Sequence, residues 1–275
     1  MKTLLKLQIL CLFSALATLP AVAARTDTVT VRSVSMEREI PAIVIVPERA
    51  DAGTPVPVVY MLHGFGGDYT TWPGIKPALP EIADREGFAI VCPDGGRSWY
   101  IDSPQDAGSC YETFFVEELI PFVDGNYPVV AAREGRAVMG LSMGGYGAMT
   151  LAIKHKELFG AVGSTSGGLD IRPFPHNWEL DRLLGGQDEN PGAWEAFTPI
   201  NLIPRLENGD LRILIDCGYG DFFLDVNRAF HERLLQRGID HDFYLRPGCH
   251  NADYWADSVD YQLLFFRKFF DRRAE

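Results

Sequence analysis

Gly140-Leu141-Ser142-Met143-Gly144 is the stretch on which the reading of this chain turns. It is a G-x-S-x-G segment set between two different periodicities. Residues 136–139 read as a short buried strand, and Met143–Lys154 as a helix that opens on Gly144, Gly145 and Tyr146. A strand that feeds a helix through so tight a turn holds the middle residue in a strained backbone conformation and presents its hydroxyl at the sheet edge. Glycines on either side of the serine let the chain turn without Cβ clashes. A serine hydroxyl alone is a weak nucleophile. The motif therefore acquires meaning only with a base, an acid that orients the base, and amide donors for a developing oxyanion.

Working outward from this turn, strands and helices alternate. Residues 28–34 and 40–46 are expected strands, joined as a hairpin. A short apolar run ends in His63-Gly64-Phe65-Gly66-Gly67, and Pro57 places the start of its strand at Val58. A helix over 80–86, a strand over 88–92 and a helix over 112–123 follow, the last with Phe115, Leu119 and Phe122 at helical spacing. Beyond the serine turn come strands over 161–163, 211–217 and 241–246, with helices over 224–236 and 254–270. Such alternation implies βαβ units and right-handed crossovers. The expected fold class is α/β: a mostly parallel central sheet with helices on both faces and an N-terminal antiparallel hairpin. Residues 25–275 read as one domain. Residues 170–195 break the alternation, hold Trp178 and Trp194, and are expected to form a small lid or a packed loop.

The first residues differ from the rest. Lys2 and Lys6 precede an apolar run to Leu19, and Ala21-Val22-Ala23-Ala24 follows. This is the pattern of a signal peptide over residues 1–24, and it predicts a secreted or periplasmic protein with no membrane insertion after cleavage. The chain of 275 residues carries a formal net charge of −12, and no Lys/Arg cluster stands out. An acidic protein of this kind is a poor match for nucleic acid or anionic membranes. Beyond Cys11 the cysteines are Cys92, Cys110, Cys217 and Cys249, with no C-x-x-C pair, which disfavours a thiolate zinc site. Cys217 closes one strand and Cys249 lies just past the next; a disulfide between them and two free thiols are both compatible with that spacing.

The base for Ser142 is expected in the loop after the last strand. His250 sits there, after Pro247-Gly248-Cys249. Of the other five histidines among the chain's 6, His63 belongs to the H-G loop and reads as a support for its turn. His155 and His231 fall in helices, His241 starts a strand, and His176 lies in the 170–195 segment. The acid must lie between serine and histidine. Asp216 falls within a strand, where hydrogen bonding to backbone is expected. Asp221 follows the Gly218-Tyr219-Gly220 turn, from which a loop carboxylate can reach the neighbouring loop, and is the favoured residue. The oxyanion donors are expected to be the backbone N–H groups of Met143 and Phe65.

The ordered set of motifs resembles the putative-esterase branch of the α/β-hydrolases. The matching residues are Tyr60-Met61-Leu62-His63-Gly64, Val91-Cys92-Pro93-Asp94-Gly95, Tyr111-Glu112-Thr113-Phe114 and Glu118-Leu119-Ile120-Pro121. Further matches are the 140–148 segment, Ile215-Asp216-Cys217-Gly218 with Asp221-Phe222-Phe223-Leu224, and His250 with Tyr254-Trp255. The resemblance implies the α/β-hydrolase fold and a Ser142-His250-Asp221 triad. It also implies Phe65 and Met143 as oxyanion donors, and no metal or organic cofactor. It further implies a serine carboxylic-ester hydrolase acting on a small-molecule or polysaccharide-linked ester. Export favours short or aromatic acyl groups, such as feruloyl or acetyl groups on polysaccharide, over an S-formylglutathione-hydrolase-like thioesterase. Acyl transfer to an acceptor other than water would use the same residues. Trp72, Tyr100 and Trp178, with Trp99 and Phe174, are candidates to line an aromatic substrate pocket. Cys110 before the Tyr-Glu pair and Cys249 before the histidine depart from the common pattern.

Overall fold

The computed structural model describes residues 24–51 and 53–272; the expected signal peptide lies outside the described residues except for Ala24. Eight strands form one sheet in the order β1-β2-β4-β3-β5-β6-β7-β8. They are β1 Arg25–Ser33, β2 Arg38–Val46, β3 Val58–Leu62, β4 Ala89–Pro93, β5 Arg136–Leu141, β6 Ala161–Thr165, β7 Arg212–Gly218 and β8 Asp242–Arg246. β1 pairs antiparallel with β2, which pairs antiparallel with β4. All pairs from β4 to β8 are parallel. This is the α/β arrangement, with its N-terminal hairpin, that the sequence implies.

The central strands β3, β4, β5 and β6 are buried at every position and mostly apolar, because both faces are covered. Alternate residues of one strand serve different layers. In β3, Val58, Tyr60 and Leu62 face the layer that holds Met149 and Leu151 of the helix Met143–Lys154 and Phe230 of the helix Leu224–Gln236. Val59 and Met61 face the other layer, with Ile82 of the helix Leu79–Glu86 and Leu263 and Phe266 of the helix Ala252–Asp271. Among the described residues, no helix is long and apolar enough to cross a membrane.

The helix expected over 112–123 is instead three joined pieces. A short α-turn, Tyr111–Thr113, leads into a π-helical segment, Phe114–Leu119, and then the α-helix Ile120–Asn126. Pro121 supplies no amide to the ladder there, which breaks the regular α pattern. Periodicity does not reveal this change, because the same apolar residues face the core in both helix types.

Backbone contacts at the serine turn set what the sequence can hold there. A Cβ on Gly140 would collide with the backbone of Gly144, and one on Gly144 with the carbonyl of Leu62 in β3. The turn is therefore packed backbone to backbone. Gly144→Ala should lose about 1–3 kcal/mol of stability or more, as overpacking does. Gly74, which has nothing within 4 Å of an added Cβ, is the control: Gly74→Ala should change stability by less than about 1 kcal/mol. Urea unfolding of the two variants checks this; equal stabilities would contradict the packing account.

Candidate active site

Ser142 sits between β5 and its helix with φ 55° and ψ −118°, a conformation that side-chain-bearing residues rarely adopt. Three backbone hydrogen bonds hold it. Its N–H donates to the Thr165 carbonyl at 3.0 Å, and its own carbonyl accepts from Tyr146 N–H at 3.1 Å and Gly168 N–H at 3.4 Å. Its hydroxyl lies 2.9 Å from His250 Nε2.

His250 stands in the loop between β8 and the helix Ala252–Asp271. Its Nδ1 is 3.0 Å and 2.9 Å from the two carboxylate oxygens of Asp221. A carboxylate can only accept, so Nδ1 carries the proton and Nε2 presents its lone pair to the serine hydroxyl. The Asp221 side chain is fully shielded from solvent, and its Oδ1 also accepts from Phe223 N–H at 2.8 Å. Backbone bonds lock the two loops together. Tyr219 N–H donates to the Arg246 carbonyl at 2.9 Å, and Gly220 N–H to the Gly248 carbonyl at 2.8 Å. Gly218 must be glycine for this approach, since a Cβ would lie 2.5 Å from the Gly248 oxygen.

The His63–Gly67 loop runs beside the serine: a Cβ on Gly64 would stand 3.3 Å from Ser142 Cβ. The His63 ring braces this loop. Its Nδ1–H donates to the Gly64 carbonyl at 2.8 Å, and its Nε2 accepts from Gly95 N–H at 2.8 Å. Neither Phe65 N–H nor Met143 N–H donates to another group among the described residues. Trp72 and Tyr100, expected to line a substrate pocket, are buried instead, each 1% exposed. Trp72 Nε1–H donates to the Leu62 carbonyl at 2.9 Å, and the Tyr100 hydroxyl to the His63 carbonyl at 3.1 Å. Both therefore fix the backbone of the loop from behind rather than face a ligand.

Trp178 is only half-buried and lies at the mouth of the site. It stacks on Phe222 with ring centroids 5.6 Å apart, and the Phe222 ring lies 4.2 Å from the His250 ring. Phe222 is 52% exposed. The sequence reading gave it no role, although its place directly after Asp221 was a signal that it borders the imidazole. Trp99 is buried beneath, edge-on to Tyr146 and donating to the Trp178 carbonyl at 3.2 Å. Phe174 packs on Trp178 and Phe223. Segment 170–195 is tied to the neighbouring loop by Arg97–Glu179 at 2.7 Å and Arg182–Asp106 at 2.9 Å.

The other histidines have other partners: His155 pairs with Glu112 at 2.9 Å, and His231 with His241 at 2.7 Å. His176 is exposed. Asp216 is hydrogen-bonded, but its carboxylate takes side-chain donors, Arg246, Tyr254 and Ser258, where backbone donors were expected. Among the described residues no three His, Cys, Asp or Glu side chains gather as ligands for a metal ion.

All four cysteines beyond the first segment are free thiols, Cys217 buried and Cys249 exposed. Burial pushes the Cys92 and Cys217 thiols far above their usual range, and the charges of Asp221 and Asp216 add to the effect at Cys217. Iodoacetamide should therefore modify Cys249 in the folded protein and spare Cys92 and Cys217 until unfolding. Peptide mapping without reduction checks this, and a Cys217–Cys249 cross-link would contradict it.

Comparison with known proteins places this geometry in context. The family model described as "Putative esterase" matches residues 33–266. The chain is 27% identical over 209 residues to an acetyl esterase of Caldicellulosiruptor saccharolyticus, covering 72% of this chain and 78% of that one. It is 30% identical over 228 residues to esterase Rv1288 of Mycobacterium tuberculosis, where the match takes 72% of this chain but 49% of the relative. Among solved structures, a ferulic acid esterase superposes with a TM-score of 0.77 at 27% identity, over 90% of this chain and 98% of that one.

Proposed function

The chain belongs to the putative-esterase family of α/β-hydrolases and is a carboxylic ester hydrolase, and on that premise we propose that Ser142, His250 and Asp221 are its catalytic triad. The observation that carries the reading is the unbroken hydrogen-bonded series from Ser142 Oγ through His250 to Asp221, on a strained turn at the sheet edge.

The chemistry follows from that series. His250 Nε2 takes the hydroxyl proton as Ser142 Oγ attacks the ester carbonyl. Negative charge collects on the carbonyl oxygen, where the Phe65 and Met143 N–H groups receive it; one such donor typically contributes about 3 kcal/mol of transition-state stabilisation. His250 returns the proton to the leaving alcohol, and the acyl group stays on Ser142. Water then attacks the acyl-enzyme with the same histidine as base, releasing the acid and restoring the serine. Asp221 holds the imidazole tautomer and stabilises its positive form throughout.

For substrate we favour short or aromatic acyl esters, such as acetyl or feruloyl groups on polysaccharide. Support comes from the exposed Phe222 ring and half-buried Trp178 at the mouth, and from relatives named acetyl esterase and ferulic acid esterase. The reading further takes residues 25–275 as one catalytic domain, with 170–195 a small lid over the site. Residues 1–24 are read as a leader that directs it out of the cytoplasm, on the pattern of Lys2, Lys6 and the apolar run that follows.

Ser142→Ala and His250→Ala should each lower kcat on p-nitrophenyl acetate by about 10⁴-fold or more, and Asp221→Asn by up to about 10⁴-fold, with the fold retained. Turnover of p-nitrophenyl acetate and methyl ferulate should exceed that of the palmitate ester. Near-normal activity in the Ser142→Ala protein would remove the triad, and faster turnover of palmitate would remove the substrate assignment.

A further inference from the structure

Asp216 carries a second constellation beside the triad. It lies in β7, and its carboxylate has no exposed surface. Oδ2 accepts from Arg246 Nη2 at 2.7 Å and from Ser258 Oγ at 2.7 Å. Oδ1 accepts from the Tyr254 hydroxyl. Burial, and then the Asp216 charge, pushes that hydroxyl up, so it remains a donor.

The positions of these donors matter more than their number. Arg246 closes β8 immediately before the loop that holds His250. Tyr254 and Ser258 lie in the helix immediately after it. One carboxylate thus grips both flanks of the histidine loop. The Arg246 guanidinium also lies 4.8 Å from the Tyr254 ring centroid, which joins the two flanks directly. Between them, the Tyr254 ring packs against Gly248, leaving no room for a side chain there.

The network also reaches the serine turn. Ser258 Oγ lies 2.8 Å from Thr165 Oγ1, which accepts from Gln262 Nε2 at 3.1 Å. The Thr165 carbonyl accepts the Ser142 N–H at 3.0 Å. Burying a carboxylate carries a desolvation cost that pairing offsets only when geometry is good and all partners are present. An apolar residue at this inner-strand position would avoid that cost but could not receive donors from both flanks of the loop.

We infer that Asp216 is a positioning residue for His250, holding the loop 247–251 so that the imidazole meets both Ser142 and Asp221. The inference rests on the triad reading above. Asp216 has no contact with Ser142 or with the imidazole in the hydrogen-bond pattern; it acts through the loop. A misplacement of about 1 Å can cost about 10²-fold in rate, so loosening the loop should appear in kcat more than in KM.

Asp216→Asn replaces one acceptor oxygen by a donor among three donors. Tyr254→Phe removes one donor and keeps the ring against Gly248. Ile82→Ala, in the same helix layer but with no part in the Asp216 network, serves as a stability control. For each protein, kcat and KM on p-nitrophenyl acetate are measured beside Tm and the low-field proton resonance of the His250 Nδ1–H bond to Asp221. The expected result is a fall in kcat of about 10- to 100-fold for Asp216→Asn and Tyr254→Phe. KM should stay near the parent value, and the low-field resonance should be lost to solvent exchange. Ile82→Ala should keep both resonance and kcat despite a lower Tm. If Asp216→Asn does not fold, Tyr254→Phe decides. Parent-like kcat with the resonance intact in Tyr254→Phe overturns the assignment, as does a kcat loss that Ile82→Ala matches at equal Tm. Ser142→Ala separates this from the triad reading: an inactive Ser142→Ala beside a fully active Tyr254→Phe removes Asp216 alone, whereas an active Ser142→Ala removes the triad.

Discussion

The backbone at Ser142 is the constraint on which the rest of the site depends. A φ of 55° with ψ −118° is a conformation that costs on the order of 1–3 kcal/mol and persists only where its surroundings leave no alternative. Here the surroundings are backbone. Gly140 lies against Gly144, Gly144 against Leu62 and His63, and Gly145 against Gly167. The Thr165 carbonyl ties down the serine amide. Relaxing the turn would require β3, β5 and β6 to move apart, and those strands are buried on both faces. The fold thus supplies the strain energy, and the hydroxyl is held at the sheet edge beside His250 Nε2.

The same sheet edge organises the other groups. β3 ends in the His63–Gly67 loop, β7 in the Asp221 turn, and β8 in the His250 loop, so all loops of the proposed site leave the carboxyl ends of parallel strands. Each is braced from behind by residues with no part in the chemistry. Trp72, Tyr100 and His63 fix the first loop through carbonyls and a Gly95 amide. Asp216, Arg246 and Tyr254 fix the last. Such support matters because electrostatic catalysis works only when donors and base are already in place before charge develops.

How much of this was legible in the sequence differs by residue. The G-x-S-x-G turn, the loop position of Asp221 and the late position of His250 are local features, so the order of strands sufficed to bring them to one edge. The parallel core was legible from continuous apolar runs such as Val58–Leu62, because burial on both faces leaves no alternation to misread. The fates of Trp72 and Tyr100 were not, since an aromatic side chain packs equally well behind a loop or in front of it. The π-helical segment Phe114–Leu119 was hidden because its apolar residues face the core as those of an α-helix would. Asp216 read as a strand residue, but its partners come from residues 30 to 42 positions away, a separation that periodicity cannot bridge.

The central claim is that Ser142, with the Phe65 and Met143 amides, forms the reacting centre. A crystal structure of the protein inactivated with a small alkyl fluorophosphonate tests it most directly. The account predicts phosphorus bonded to Ser142 Oγ, with the phosphoryl oxygen about 2.7–3.1 Å from both amide nitrogens. A label on any other residue, or a phosphoryl oxygen turned to solvent away from Phe65 and Met143, would contradict it.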